Sequence, residues 1–176
     1  MAGYALMARE IADQCEDLGA RPTHLFVQAG VGGLAAAMAK ALAEIMVEAP
    51  STIVVEPEAA DCVRRALAAG RPELVPGELD TAAEMLACGL ASAHAVALLE
   101  KHGAKCVTVS EQRLDDAVAA MAAAGGPATT PSGACGLAGL LEAASDNDLG
   151  EELGLSADAV VLLIASEGPV PAQALA

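Results

Sequence analysis

Aromatic side chains are nearly absent from this chain: its 176 residues include one tyrosine, one phenylalanine and no tryptophan. With only Tyr4 and Phe26, it offers no set of flat faces on which nucleic-acid bases would stack. Cationic residues are also scarce. Nine Lys and Arg stand against 24 Asp and Glu, a formal net charge of −15. That charge repels phosphate backbones and anionic lipid surfaces alike. No apolar run reaches the ~18 uncharged residues of a membrane span. The opening MAGYALMARE meets Glu10 before any long apolar stretch, so no signal peptide is expected. Neither nucleic acid nor membrane is therefore an expected partner.

Metal-binding patterns are missing too. Five cysteines (15, 62, 88, 106 and 135) form no C-x-x-C, and His24, His94 and His102 do not pair with them at zinc spacings. An odd cysteine count without an export signal suggests reduced thiols and a cytoplasmic protein. What the chain has in abundance is small apolar residues. Alanine occurs 43 times, glycine 17 times, and mean hydropathy is +0.47, which excludes disorder. The length suits one domain spanning residues 1–176 with a sizeable core.

Periodicity predicts helices over 4–18, 34–49, 58–69, 91–101, 111–124 and 133–144, and strands over 23–28, 51–57, 105–110 and 159–165. The Pro- and Gly-bearing stretch 71–89 reads as loop. The five residues after Pro171 are expected to fray. The order is α β α β α α β α α β. Strands such as STIVVEP and AVVLLIA are continuously apolar, as befits a parallel sheet buried on both faces. The expected fold class is α/β: three layers, a parallel-rich sheet with helices on both faces.

The sharpest motif is Gln28-Ala29-Gly30-Val31-Gly32-Gly33-Leu34, a strand running through glycines straight into a helix. Glycines allow positive φ and close approach of a ligand. Free N–H groups at a helix start attract a phosphate without any cationic side chain. The alternative is a tight βα turn whose glycines serve packing alone. The motif is not G-x-x-x-x-G-K-[ST], and Ala35 stands where G-x-G-x-x-G would need its third glycine. Ser166, in Ala165-Ser166-Glu167-Gly168-Pro169, ends the last strand, where open α/β sheets hold ligands. Its hydroxyl can meet a ring nitrogen or simply shape the turn. In Thr129-Thr130-Pro131-Ser132-Gly133-Ala134, Ser132 is the expected N-cap of the next helix. Glu56 closes the second strand. It reads either as a solvated carboxylate or, in a nucleotide-binding Rossmann domain, as a ribose ligand.

Taken together, these segments resemble the C-terminal half of pyridoxal-phosphate enzymes with the tryptophan synthase β-type fold (fold type II), and among them the diaminopropionate ammonia-lyases. The resemblance rests on Gly3-Tyr4-Ala5-Leu6-Met7, Gln28 to Gly32, Val55-Glu56-Pro57, Ala60-Asp61-Cys62, Leu86-Ala87-Cys88-Gly89, Ser132-Gly133-Ala134, Asp158 to Val161 and Ser166-Glu167-Gly168. It implies that Gly30, Val31, Gly32, Gly33 and Leu34 cradle the phosphate of pyridoxal 5′-phosphate. It further implies that Ser166 hydrogen-bonds the pyridine nitrogen and leaves it largely unprotonated, which suits β-elimination.

The family reaction takes 2,3-diaminopropionate to pyruvate and ammonia, with serine and threonine dehydratases as near relatives. The family's catalytic lysine has a Ser-x-x-x-Lys type setting, and none of Lys40, Lys101 and Lys105 stands in one. The resemblance thus implies no catalytic residue in this chain. It implies a truncated or split ammonia-lyase, inactive alone, that works as a homodimer or with a complementing N-terminal half. The competing class is a non-catalytic phosphate- or pyridoxal-phosphate-binding remnant. Cys62 and Cys88 match cysteines of the ammonia-lyase pattern. The resemblance implies Cα atoms within the roughly 7 Å a disulfide spans, whereas a reducing compartment favours free thiols. Cys15, Cys106 and Cys135 are expected as small core residues.

Overall fold

A computed structural model describes residues 3–168; the expectation for the residues after Pro171 lies outside them. The elements in chain order are α1 (Tyr4–Asp17), β1 (His24–Gln28), α2 (Gly33–Ile45), β2 (Ser51–Pro57), α3 (Cys62–Ala69), α4 (Ala93–Lys101), β3 (Lys105–Val109), α5 (Glu111–Ala123), α6 (Pro131–Ser145), α7 (Asn147–Leu153) and β4 (Val161–Leu163). Two short 3-10 turns, Glu58–Ala60 and Glu84–Leu86, precede α3 and α4.

The four strands are all parallel, in the order β3-β2-β1-β4. Alternate residues of β1 and β2 feed two separate cores. Leu25, Val27 and Val54 pack with Ala8 of α1, Met38 and Leu42 of α2, Val63 of α3 and Leu99 of α4. Phe26, Ile53 and Val55 pack on the other face with Leu114 of α5, Ala134 and Ala138 of α6 and Leu153 of α7. This is the expected three-layer arrangement, and the two-sided burial explains why these strands are so continuously apolar.

Three local expectations change. The last strand is three residues rather than seven, because β4 pairs with β1 only from His24↔Val161 to Phe26↔Leu163. A seventh helix, α7, occupies residues to which the sequence reading assigns no element; Asp146 caps it, accepting from the N–H groups of Asp148 and Leu149 at 3.0 and 3.2 Å. Ser132 is not the N-cap of α6. Thr130 holds that position and accepts from the Gly133 N–H at 3.2 Å, with Pro131 first inside the helix. Proline suits that position because its missing N–H would have had no partner anyway.

Helix α6 meets the sheet through glycine. A Cβ on Gly136 would stand 2.7 Å from the Phe26 carbonyl oxygen, and one on Gly139 would overlap the Val55 side chain. Neither obstacle is a flexible side-chain end that can swing aside. Gly136→Ala should therefore push α6 off the sheet and cost about 1–3 kcal/mol. Chemical denaturation should show this as a lowered midpoint with little change in slope.

Candidate functional site

The carboxyl ends of β1 and β4 open onto a cleft of ≈ 530 Å³. Its edge is the glycine turn. Gly32 has φ +88° and caps α2, and a Cβ there would also press on Val63 and Ala95. Positive φ is a region that side-chain-bearing residues avoid. Gly30 is confined differently: a Cβ would lie 3.1 Å from Cys88 Sγ and 3.2 Å from the Met85 carbonyl oxygen.

The Ala29 N–H donates to Val55 O, and the Ala36 N–H begins the helical ladder by donating to Gly32 O. Between them, the N–H groups of residues 30–35 find no protein acceptor among the described residues. Unpaired donors at a helix N-terminus, with the helix dipole behind them, favour an anion. The acidic chain thus keeps a locally positive spot made of backbone alone.

The opposite wall comes from β4. Ser166 follows the strand, and Gln28, only 3% exposed, reaches across from β1. Its Nε2 donates to Ile164 O at 2.9 Å and to Ser166 Oγ at 2.6 Å. The turn beyond is latched to the start of α6: Thr129 Oγ1 donates to Glu167 O at 2.8 Å, and the Thr130 hydroxyl bonds the Glu167 carboxylate. The remaining lining includes Tyr4 and Met7 of α1 with Met85, Leu86 and Cys88 of the 71–89 loop. That loop packs down as a wall, with the Met85 N–H donating to Ser132 Oγ at 3.2 Å.

The structure thus gathers Gly30, Val31, Gly33, Leu34 and Ser166 around one cleft. Sequence reasoning missed Gln28's second role, the α1 wall and the loop wall. The loop's signal was Leu86, an apolar residue among turn formers that the structure buries.

Among the described residues no lysine lines the cleft. Lys40 pairs with Glu44 at 2.6 Å on the exposed face of α2, and Lys105 donates to Glu152 O. Glu56 corrects both readings given for it: it is 0% exposed, so it is neither solvated nor free to take a ribose. Its two oxygens accept the Val63 and Arg64 N–H groups at 2.7 and 2.8 Å, capping α3 from below. Burial pushes its carboxyl up to about 7 against those two donors. Cys62 and Cys88 are free thiols that flank Gly30; Cys62 Sγ donates to Gly30 O at 3.1 Å. Burial, helped by Glu56, pushes the Cys62 thiol up to about 12, so it is a packing group rather than a nucleophile. Cys135 is buried, whereas Cys15 and Cys106 are only partly covered. No metal-holding cluster of His, Cys, Asp or Glu occurs among the described residues, and no helix there is long and apolar enough to cross a membrane.

The site is thus a glycine turn with unpartnered backbone N–H groups and a serine hydroxyl, both lining one cleft at the carboxyl ends of a parallel sheet. The chain belongs to the pyridoxal-phosphate dependent enzymes, whose family pattern matches residues 1–167. Within that family it is similar to the diaminopropionate ammonia-lyase of Escherichia coli (strain K12), at 34% identity over 184 residues, taking in 96% of this chain and 44% of that protein. The crystal structure of the Escherichia coli enzyme with an aminoacrylate–PLP intermediate superposes with a TM-score of 0.80, at 30% identity over 94% of this chain and 44% of that one. The threonine deaminase of T.th. gives a TM-score of 0.79 at 26% identity, over 97% of this chain and 58% of that one. The fold is that of the tryptophan synthase β-like enzymes, and the chain spans under half the length of the curated relative.

Glu56 holds its proton more tightly in the folded chain than in the unfolded one, where it titrates near 4.5. The resulting stability is complete below about pH 4.5 and is lost as pH rises through about 7. Glu56→Gln carries no such charge. Relative to that variant, the wild type should lose roughly 3 kcal/mol between about pH 4.5 and 8. A difference that stays constant in denaturation curves across this range would show that Glu56 ionises in the fold without penalty.

Proposed function

We propose that this chain is the cofactor-holding portion of a pyridoxal-phosphate dependent ammonia-lyase acting on a small amino acid, first of all 2,3-diaminopropionate. The observation that carries the proposal is the run of N–H groups from Gly30 to Ala35 that no protein acceptor takes among the described residues, at the rim of a cleft whose far side holds Ser166. The residues fit the group. The Gly30 and Gly32 positions leave the backbone bare, the N–H groups suit a phosphate, and Ser166 stands at a strand end where a ring nitrogen needs a partner.

In this reading Gly30, Val31, Gly32, Gly33 and Leu34 hold the phosphate, and the α2 dipole adds to their pull. Met85, Leu86 and Cys88 exclude water from one side, and Tyr4 and Met7 from another. Pyridoxal phosphate, when bound, supplies the electron sink that makes an amino acid's Cα–H acidic. The proton of that bond needs a base. The cleft as described offers neither lysine nor carboxylate at its lining, so this chain binds and orients but does not itself move the proton. The lysine then comes from outside residues 1–176, since a second copy of these residues would bring only Lys40, Lys101 and Lys105 again. On this view residues 1–176 act as one unit in the cytoplasm and correspond to under half of the whole enzyme. A serine or threonine dehydratase parent is the second reading, supported by the likeness to threonine deaminase.

Pyridoxal phosphate should raise the thermal midpoint of this chain, and NAD should leave it unchanged. Gly32→Val, which drives a side chain against Val63 and Ala95 and strains the left-handed turn that aims the N–H groups, should abolish the shift. Borohydride should fix the cofactor at no single lysine, and added diaminopropionate should yield no pyruvate. Stoichiometric labelling of Lys40, or a shift with NAD alone, would overturn the reading.

A further inference from the structure

The Ser166 hydroxyl meets Gln28 as an acceptor and so keeps its own proton. Gln28 Nε2 carries two hydrogens, and both are used: one on Ile164 O at 2.9 Å, the other on Ser166 Oγ at 2.6 Å. The first bond settles which way the amide lies. A backbone carbonyl only accepts, so turning the amide over would set Gln28 Oε1 against Ile164 O and forfeit that bond. Oε1 instead lies on the α6 side, 3.4 Å from where a Cβ on Gly136 would stand, buried and without a partner. Leaving a buried oxygen unsatisfied is costly, so the two donated bonds must be the ones that matter at this place.

A serine hydroxyl that accepts from Gln28 has one proton left to give. Ser166 is exposed on the cleft, and no other protein group takes that proton among the described residues. Direction therefore passes down a chain. The Ile164 carbonyl orients the Gln28 amide, the amide makes Ser166 an acceptor on its inner side, and the Ser166 proton is left available on its cleft side.

We infer that Gln28 is a positioning residue that, by donating to Ser166 rather than accepting from it, keeps the Ser166 proton free to be given to an unprotonated ring nitrogen in the cleft. This deepens the proposed function and rests on its assignment of the cleft to a phosphorylated pyridine. Gln28 acts through Ser166 and does not touch the reacting atoms. It also stands where the β1–β4 ladder has ended, two residues beyond Phe26↔Leu163. A purely structural role, tying the end of β4 to β1, would lower stability when lost but would not alter the protonation of a bound ring.

The test uses 4′-deoxypyridoxine 5′-phosphate labelled with ¹⁵N in the ring, a probe without an aldehyde that needs no lysine. The nitrogen resonance distinguishes a neutral pyridine from a pyridinium. Bound to the wild-type chain at neutral pH, it should be of the neutral type. In Gln28→Glu, the carboxylate takes the Ser166 proton and turns its lone pairs into the cleft, and the bound ring should become pyridinium. Ser166→Ala, at an exposed position that spares the fold, should bind the probe roughly tenfold more weakly with a ring nitrogen that titrates as in free solution. Ser166→Thr keeps the hydroxyl and should keep the neutral signal.

A pyridinium in the wild type, or one unchanged neutral signal in wild type and Ser166→Ala, overturns the inference while leaving the phosphate cradle intact. The same neutral signal in a folded Gln28→Glu does so as well. Failure of the probe to bind the wild type overturns the cradle itself, and this inference with it.

Discussion

Three residue pairs join β4 to β1, and the cleft depends on them. From β1 the chain moves outward through β2 to β3, then returns across the sheet to lay β4 on the other side of β1. The direction of winding reverses between those two strands, and in open α/β sheets the crevice lies where it reverses. The glycine turn follows β1 and Ser166 follows β4. Neither would face the other if the last strand paired at the β3 edge. The ladder is short, and the Gln28 side chain extends it by gripping Ile164 and Ser166. The latch of Thr129 and Thr130 onto Glu167 fixes the turn from the other side.

The electrostatics follow from the same geometry. A chain of net charge −15 is a poor host for a phosphate if the whole field decides. At contact range, however, oriented N–H groups outweigh distant carboxylates that water and salt screen. The nearby cations are already committed. Arg64 and Arg65 both bind Asp61, the latter at 2.5 Å. Burial works against the charge on Asp61, but the Arg65 and Arg64 bonds outweigh it and hold the carboxyl below its ordinary range. The backbone is left as the donor set at the cleft edge, which is why glycine rather than lysine marks the site.

Much of this was legible in the sequence, because the signals were local. Apolar runs bounded by glycine and proline placed β1 and β2 to within a residue, and the strand–glycine–helix pattern placed the turn. What stayed hidden depended on contacts distant in the chain. Thr130 and Ser132 are both good caps by chemistry, and the choice between them hangs on Met85, 47 residues before Ser132, which draws the Ser132 hydroxyl away. Glu56 looks like any carboxylate after a strand until α3 folds back over it. Gln28 reads as the polar end of a strand, because its partners lie 136 and 138 residues away. The α7 helix was a different kind of miss: its Asp146 cap and Gly154 stop are present in the sequence, but seven residues hold too few periods to stand out.

The scarcity of aromatics has an optical side. Tyr4 is the chain's one tyrosine, there is no tryptophan, and the cleft wall is where that tyrosine sits. The intrinsic emission of the chain therefore comes almost entirely from a single ring beside the cleft, with only the weakly emitting Phe26 besides. A pyridine chromophore settling against that wall would quench the whole signal rather than a fraction of it, making the unlabelled protein its own occupancy gauge.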